Sequence, residues 1–426
     1  MRQLIPESRR RNRAGLVQRF PNICTSHLPE PLTPMRRFET IVLGLGAMGS
    51  ATAYQLARRG NGILGIDQFS PPHALGSSHG DTRITRLAIG EGEEYTPLAL
   101  RSHQLWHELE NETGTKLLST CGGLIISSSA KTSRTHVENF FDNTLAAARK
   151  YAIAHEVLDA TDIRRRFPHF NVADDEQGYL ERDAGFLRPE ACIHAQLMAA
   201  ERRGAQIHRE ERVLRFEASA NAVTVVTNRD TYVTGTLIVT AGPWLPELVD
   251  RRLARHFTVY RQTLFWFDID GPVAPYLPER WPIFIWELQG RKQGIYGFPA
   301  IDGPRGGMKI ATEQYEATTT AETVDRTVTD REKRAMYEDY VAPCIAGVSD
   351  RCLRAMSCLY TVTPDFGFVI DAHPDSKRVI IVSPCSGHGF KHSPAIGEAL
   401  ADLAIDGATA IDLSVFSLQR FSARTP

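Results

Sequence analysis

The sequence predicts an α/β fold in which an α/β part is interrupted by a second, mostly β part. Three observations lead there. The apolar run Thr40-Ile41-Val42-Leu43 opens onto three glycines and a segment of helical composition, and a second apolar run, Ile63 to Ile66, ends at Asp67. From Phe257 to Phe298 the chain turns β-rich, with four of its five tryptophans between Trp244 and Trp286. Near the end, the strand-like Arg378-Val379-Ile380-Ile381-Val382, a glycine-broken loop and a helical stretch from about Pro394 to Ile405 return to the texture of the beginning.

The opening residues stand apart. In 1–37, eight arginines face only Glu7 and Glu30, with prolines at 21, 29, 31 and 34. The segment has no apolar h-region, so it does not read as a secretory signal. It reads as a disordered extension, or as the product of an upstream start with Met35 the effective first residue; an arginine-rich transit peptide is the alternative.

The elements then follow in order. Thr40 to Leu43 is short and β-branched, as in a buried strand. Gly44-Leu45-Gly46-Ala47-Met48-Gly49 precedes a helix over Ser50 to Arg59, Gly60 and Gly62 end it, and Ile63 to Ile66 forms the next strand. This is a β–α–β dinucleotide fingerprint in its required context. Gly44 permits the tight turn, Gly46 lets backbone approach a pyrophosphate, and Gly49 lets helix pack on strand. Asp67, 18 residues beyond Gly49, is placed to accept ribose hydroxyls. The motif alone does not separate NAD from FAD.

Pro97 to Asn111 puts Leu98, Leu105, Trp106 and Leu109 on one helical face. Gly122 to Ile126 reads as a strand, Pro189 to Arg203 as a helix, and Arg212 to Thr227 as a hairpin turning at Ser219-Ala220-Asn221. Thr236 to Gly242 is a further buried strand ending in small residues. The expected division is 38–125, 183–250 and 365–421 for the dinucleotide part, and 126–182 with 251–364 for the second part.

Composition narrows the function. The 426 residues are 42% hydrophobic and 23% charged, which suits two or three globular domains. With 49 basic and 50 acidic side chains the net charge is −1, too small for a nucleic-acid or anionic-membrane footprint. No run of about 18 apolar residues offers a membrane span. Seven scattered cysteines without a CxxC pair make neither a disulfide framework nor a zinc signature, and a cytoplasmic setting fits.

Three further segments are more specific. Gly76-Ser77-Ser78-His79-Gly80-Asp81-Thr82-Arg83-Ile84-Thr85-Arg86 runs on to Gly90-Glu91-Gly92-Glu93; Ser357-Cys358-Leu359-Tyr360-Thr361-Val362-Thr363-Pro364-Asp365 and Ser386-Gly387-His388-Gly389-Phe390-Lys391 follow much later. In this order they resemble the N-methyl amino acid oxidases, the family of monomeric sarcosine oxidase and N-methyltryptophan oxidase. The similarity runs from about Phe38 to Phe421. It implies a glutathione-reductase-like FAD-binding domain carrying an inserted antiparallel substrate domain. The implied activity is the oxidation of an N-methyl amino acid by O2 and water to the amino acid, formaldehyde and H2O2.

The resemblance also implies roles. Cys358 would join the flavin by a thioether, although free cysteine is more commonly a buried structural residue. Gly387 and Gly389 would form the C-terminal flavin loop. Lys309, in Gly306-Gly307-Met308-Lys309-Ile310, would stand over the ring and promote O2 reduction, since a fixed cation stabilises developing superoxide; the plain reading is a solvated lysine. His79 and Arg83 would line the flavin and favour its anionic reduced form. Arg86 and Lys391 would grip the substrate carboxylate. Tyr296 would lie in the active site, or serve as a core aromatic. Monomeric behaviour is implied as well.

One departure matters. Four residues after the lysine, relatives place a histidine in the substrate pocket, and here the residue is Glu313. An acid there opposes a substrate carboxylate, welcomes an extra amine, or points elsewhere. Related possibilities are a flavin amine oxidase or dehydrogenase for a bulkier N-alkyl, fructosyl or cyclic imino acid, with Trp281, Phe284 and Trp286 lining a larger pocket, and a non-catalytic dinucleotide-binding regulator.

Overall fold

The computed structural model describes residues 35–133 and 137–424. The basic segment 1–34 lies outside the described residues, and with it nearly all of the expected extension. Its last two arginines do not belong to it. Arg36 and Arg37 open the first strand, Arg36–Leu43, and pair with Tyr232 and Val233. From Arg36 onward the chain forms one compact unit.

Two large sheets organise that unit. In the first, strands Gln206–His208, Ile63–Ile66, Arg36–Leu43, Thr231–Val239 and Ser376–Ser383 lie parallel, in that spatial order. The strands read from sequence at 40–43, 63–66, 236–242 and 378–382 are the middle of this sheet. Their runs are apolar because both faces are covered. The hairpin Val213–Ala218 and Val223–Thr227 adds to the long strand Thr231–Val239, and Val369–His373 flanks Ser376–Ser383 antiparallel.

Helices Ala47–Arg58, Thr96–Thr113, Pro189–Arg202 and Ser393–Asp406 enclose one core with this sheet, filled by Leu56, Leu98, Trp106, Leu197, Ile238 and Leu400. Gly397 lets Ser393–Asp406 press on Ala47–Arg58, since a Cβ there would meet the Ala51 carbonyl carbon at 2.6 Å. The two helices that flank the fingerprint loop and the C-terminal glycine loop are thereby locked together.

The second sheet has nine strands, almost all antiparallel, built around Thr258–Ile269, which pairs with Val348–Val362 and Met308–Thr312. The strand Gly123–Ser127 belongs wholly to this sheet, parallel to Ile283–Trp286. A boundary drawn at residue 125 therefore cuts through a strand, because cross-strand pairing rather than chain position assigns it. Trp281 and Phe284 are core, whereas Trp286, the third aromatic expected at a larger pocket, also lines the cavity described below. They pack on Phe170, Trp281 stacking with ring centroids 4.2 Å apart and Phe284 at 5.2 Å edge-on. Their neighbour Ile285 lines that cavity as well. A small three-stranded sheet, Arg83–Thr85, Gly185–Leu187 and Leu118–Thr120, carries Arg83 and Arg86 to the same cavity.

Candidate active site

A single cavity runs from the carboxyl ends of the parallel strands to the inner face of the second sheet. Its lining includes Gly44, Gly46, Asp67, Arg83, Arg86, Tyr296, Lys309, Glu313, Cys358, Gly387, Gly389 and Lys391. Of the residues expected from sequence, Gly49 and His79 do not line it.

At one end the walls are backbone. Gly44 has φ +87°, and a Cβ there would lie 2.7 Å from the Thr240 carbonyl oxygen. A Cβ on Gly49 would lie 1.8 Å from the Gly44 carbonyl oxygen, so Gly49 is the packing glycine beneath the loop. A Cβ on Gly46 would meet only Ser78 Oγ, at 3.6 Å; this side of the loop opens to the cavity. Asp67 accepts hydrogen bonds from Leu45 N–H at 2.7 Å and Phe69 N–H at 2.8 Å. Burial raises its carboxyl above the ordinary range, against the two amides, which favour the charged form. Each oxygen keeps a second lone pair for a ligand hydroxyl. An open glycine face at a helix N-terminus beside a half-used buried carboxylate fits a dinucleotide.

In the middle stand the residues that face a ring system. Cys358, on Val348–Val362, is buried, and Arg83 Nη2 lies 3.6 Å from its Sγ. Arg83 also donates to the carbonyl oxygens of Thr82 and Ser77. Lys309, on Met308–Thr312, is 3% exposed rather than solvated. Its ammonium donates to Gly80 O at 2.7 Å, Thr82 O at 3.0 Å and Thr82 Oγ1 at 3.2 Å, and lies 4.8 Å from the Phe298 ring centroid. Burial pulls its pKa well below the ordinary lysine value, as does the neighbouring Arg83.

His79 corrects the expectation of a second positive charge. Its ring is buried, both nitrogens lack a hydrogen-bond partner among the described residues, and burial with Arg83 beside it lowers its pKa to about 4. It is neutral near pH 7, and the fixed charge here comes from Arg83.

At the far end, side chains from distant segments meet. Arg86 is 2% exposed, donates through Nη1 to Ala88 O and through Nη2 to Glu91 Oε2, and lies over the Phe140 ring. Lys391 donates to His388 O at 2.8 Å and stands 3.8 Å from Glu91 Oε1. Burial lowers Lys391 to about 8, against the opposing pull of Glu91. The two cations thus face one carboxylate, and Arg86 Nε remains buried without a hydrogen-bond partner among the described residues. Tyr296 OH is 3.5 Å from Tyr360 OH, and burial raises Tyr296 to about 12. Both phenols are neutral donors.

The loop closing this end needs its glycines. Gly387 has φ +88°, and a Cβ on Gly389 would lie 1.6 Å from the Pro384 carbonyl oxygen. Glu313 lines the cavity and faces Tyr315. Sequence reasoning assigned no role to Glu91, Phe140 or Tyr360. Tyr360 was within reach, because positions 358 and 360 share a strand face; nothing local marks Phe140 or Glu91 as partners of Arg86.

This arrangement defines the class. The chain matches the family model described as FAD dependent oxidoreductase over residues 39–403 and belongs to that family. It is 42% identical over 389 residues to the monomeric sarcosine oxidase of Streptomyces avermitilis, covering 91% of this chain and 98% of that one. It is 35% identical over 385 residues to the N-methyl-L-tryptophan oxidase of Yersinia pestis, covering 90% and 99%. Among solved structures, the fold is similar to that of NikD, described as an unusual amino acid oxidase essential for nikkomycin biosynthesis, with TM-score 0.77 at 24% identity over 90% of this chain and 97% of that one. It is also similar to L-proline dehydrogenase from P. horikoshii, with TM-score 0.73 at 20% identity over 92% and 99%.

Proposed function

We propose that this enzyme oxidises the N-methyl group of an amino acid of the sarcosine or N-methyl-L-tryptophan type. An R–NH–CH3 amine, O2 and H2O become R–NH2, formaldehyde and H2O2. The observation that carries this reading is the convergence of Arg86 and Lys391 on a single carboxylate, with one buried guanidinium N–H left over. Two cations and a spare donor at the end of a flavin-type cavity suit the carboxylate of an amino acid.

A bound FAD supplies the two-electron oxidation of the C–N unit and the delivery of those electrons to O2. The chain's own residues do the rest. Gly44, Gly46 and Asp67 would hold the dinucleotide end, Gly387 and Gly389 the other end of the cofactor, and Cys358, with Arg83 Nη2 3.6 Å from its Sγ, would be the attachment point. Arg86 and Lys391 fix the substrate carboxylate, which orients the methyl group. Tyr296 and Tyr360 offer neutral donors beside the amine, and Lys309, beside the charged Arg83, directs an N–H donor to where O2 reduction builds negative charge.

The parallel sheet and its helices serve the cofactor, and the nine-stranded sheet serves the amine. The same reading has the protein act as a cytoplasmic monomer on a small secondary amine. No helix among the described residues is long and apolar enough to cross a membrane.

The test begins with acid precipitation of the purified protein. Yellow colour stays with the polypeptide, and Cys358→Ser releases it to the supernatant. Aerobic turnover of sarcosine and N-methyl-L-tryptophan then yields peroxide. Flavin bleaching without peroxide would mean a dehydrogenase, and no bleaching by any amine would refute the reading.

A further inference from the structure

The cross-strand register of the second sheet sets a row of side chains along the cavity. Ala311 lies opposite Tyr296, and Tyr296 opposite Ile285. Directly opposed residues of an antiparallel pair project to the same face. At one end of the row Ala311 packs with Leu264 and Cys358. At the other, Ile285 packs on the cluster that holds Phe140, and the Arg86 guanidinium lies 5.0 Å from the Phe140 ring centroid.

The Ile285 end of the row is apolar and uncovered. Every residue of Ile283–Trp286 is buried except Ile285, and every residue of Ile295–Gly297 except Tyr296. Both line the cavity. Ile84, half-buried as well, lines it too and packs in a cluster that Tyr296 touches. The Tyr296 hydroxyl is engaged with that of Tyr360 at 3.5 Å, so Tyr296 adds its ring to this wall. The charged groups stand elsewhere. Arg83 and Lys309 both donate to the Thr82 carbonyl, and Glu313 stands with Tyr315 and Tyr360 around Gly387.

An amino acid whose carboxylate rests on Arg86 and Lys391, with its amine toward the Cys358 end, brings its side chain to the wall between Arg86 and Tyr296. That wall is Ile285. An apolar side chain there covers surface to which water makes no hydrogen bond, whereas a polar one gives up its own water without a partner. Resting on the oxidase reading above, we infer that Ile285 determines specificity, and that the preferred substrate is an N-methyl amino acid with an apolar side chain.

The experiment compares kcat/KM, by peroxide formation, for N-methyl-L-leucine, its polar counterpart of similar shape N-methyl-L-asparagine, and sarcosine. The wild-type enzyme favours the leucine derivative over both by about tenfold or more, the scale of methylene-sized differences in an apolar pocket. In Ile285→Asn the leucine-to-asparagine ratio falls to near one. Ile285→Ala enlarges the pocket and moves the preference from the leucine to the phenylalanine derivative. A loosened fold would lower all substrates together and leave these ratios in place. Titration of the flavin absorbance with 4-methylpentanoate and with succinamate, the same two side chains without the amine, reads the preference without turnover and without any variant. Equal wild-type ratios, a preference for sarcosine, equal binding of the two carboxylates, or a preference that survives Ile285→Asn would overturn the inference. Turnover of sarcosine with no preference for leucine overturns it alone; failure of every amine, sarcosine included, removes the oxidase reading beneath it.

Discussion

The two ends of the cavity are made of different materials. The dinucleotide end is backbone: a glycine loop, a helix N-terminus and one acid, all within residues 40–67. The amine end is side chain: Arg86 and Glu91, Phe140, Tyr296, Glu313, Tyr360 and Lys391, gathered from six separate stretches. The first end tolerates almost no added atom but carries little charge. The second has room but balances several buried charges against one another. Substitution should therefore break the first by sterics and tune the second by electrostatics.

Gly49→Ala is the most severe test. Its Cβ would fall 1.8 Å from the Gly44 carbonyl oxygen, with Thr240 Oγ1 at 2.7 Å. Neither can retreat without moving strand or helix, so the variant should lose essentially all bound flavin, read as the ratio of 450 to 280 nm absorbance, with a lowered Tm. Normal colour would show that the loop yields.

Lys309→Met addresses the middle of the cavity. Reoxidation of the reduced enzyme should slow by roughly 10²–10³-fold, while anaerobic reduction by substrate stays nearly normal. Stopped-flow measurement of the two half-reactions separates them, and equal reoxidation rates would remove Lys309 from the O2 step.

Arg86→Gln should lower kcat/KM by roughly 30–300-fold, since it removes a charge-assisted donor and strips Glu91 of its nearest cation. Steady-state kinetics with sarcosine reads this, and retained flavin absorbance shows that the cofactor end is intact. Loss of colour instead would mean that the two ends are not independent.

The smallest effect is a pH dependence. Lys391 titrates at about 8, so it is charged below that pH and neutral above it. The Ki of a simple carboxylate such as hexanoate should hold below pH 8 and rise above it, toward tenfold per pH unit, as one proton is lost. Lys391→Arg should flatten this rise, because guanidinium does not titrate there.

Sarcosine-oxidase-like chemistry was legible because its motifs are short and ordered along the chain. His79 shows the limit of such reading. The motif marked it for the flavin wall, but His79 does not line the cavity, and burial beside Arg83 makes it neutral, which no spacing reveals. Trp281 and Phe284 show the converse. Aromatics in a β-rich stretch fit a pocket or a core equally well, and only packing on Phe170 decided for core.

The sequence by itself determined the strand–loop–helix of the nucleotide end, the strands of the parallel sheet and the identity of Cys358 and Lys309 as candidates. The first two depend on local periodicity and on glycines whose backbone has no alternative residue, and the last on the resemblance of two short segments to the N-methyl amino acid oxidases. The tertiary structure alone decided that Glu91 answers Arg86 and Lys391, that Glu313 faces the cavity, and that Gly123–Ser127 joins the second sheet. Those outcomes follow from contacts between residues far apart in the chain, and the energy of a buried charge depends on which neighbours folding brings to it.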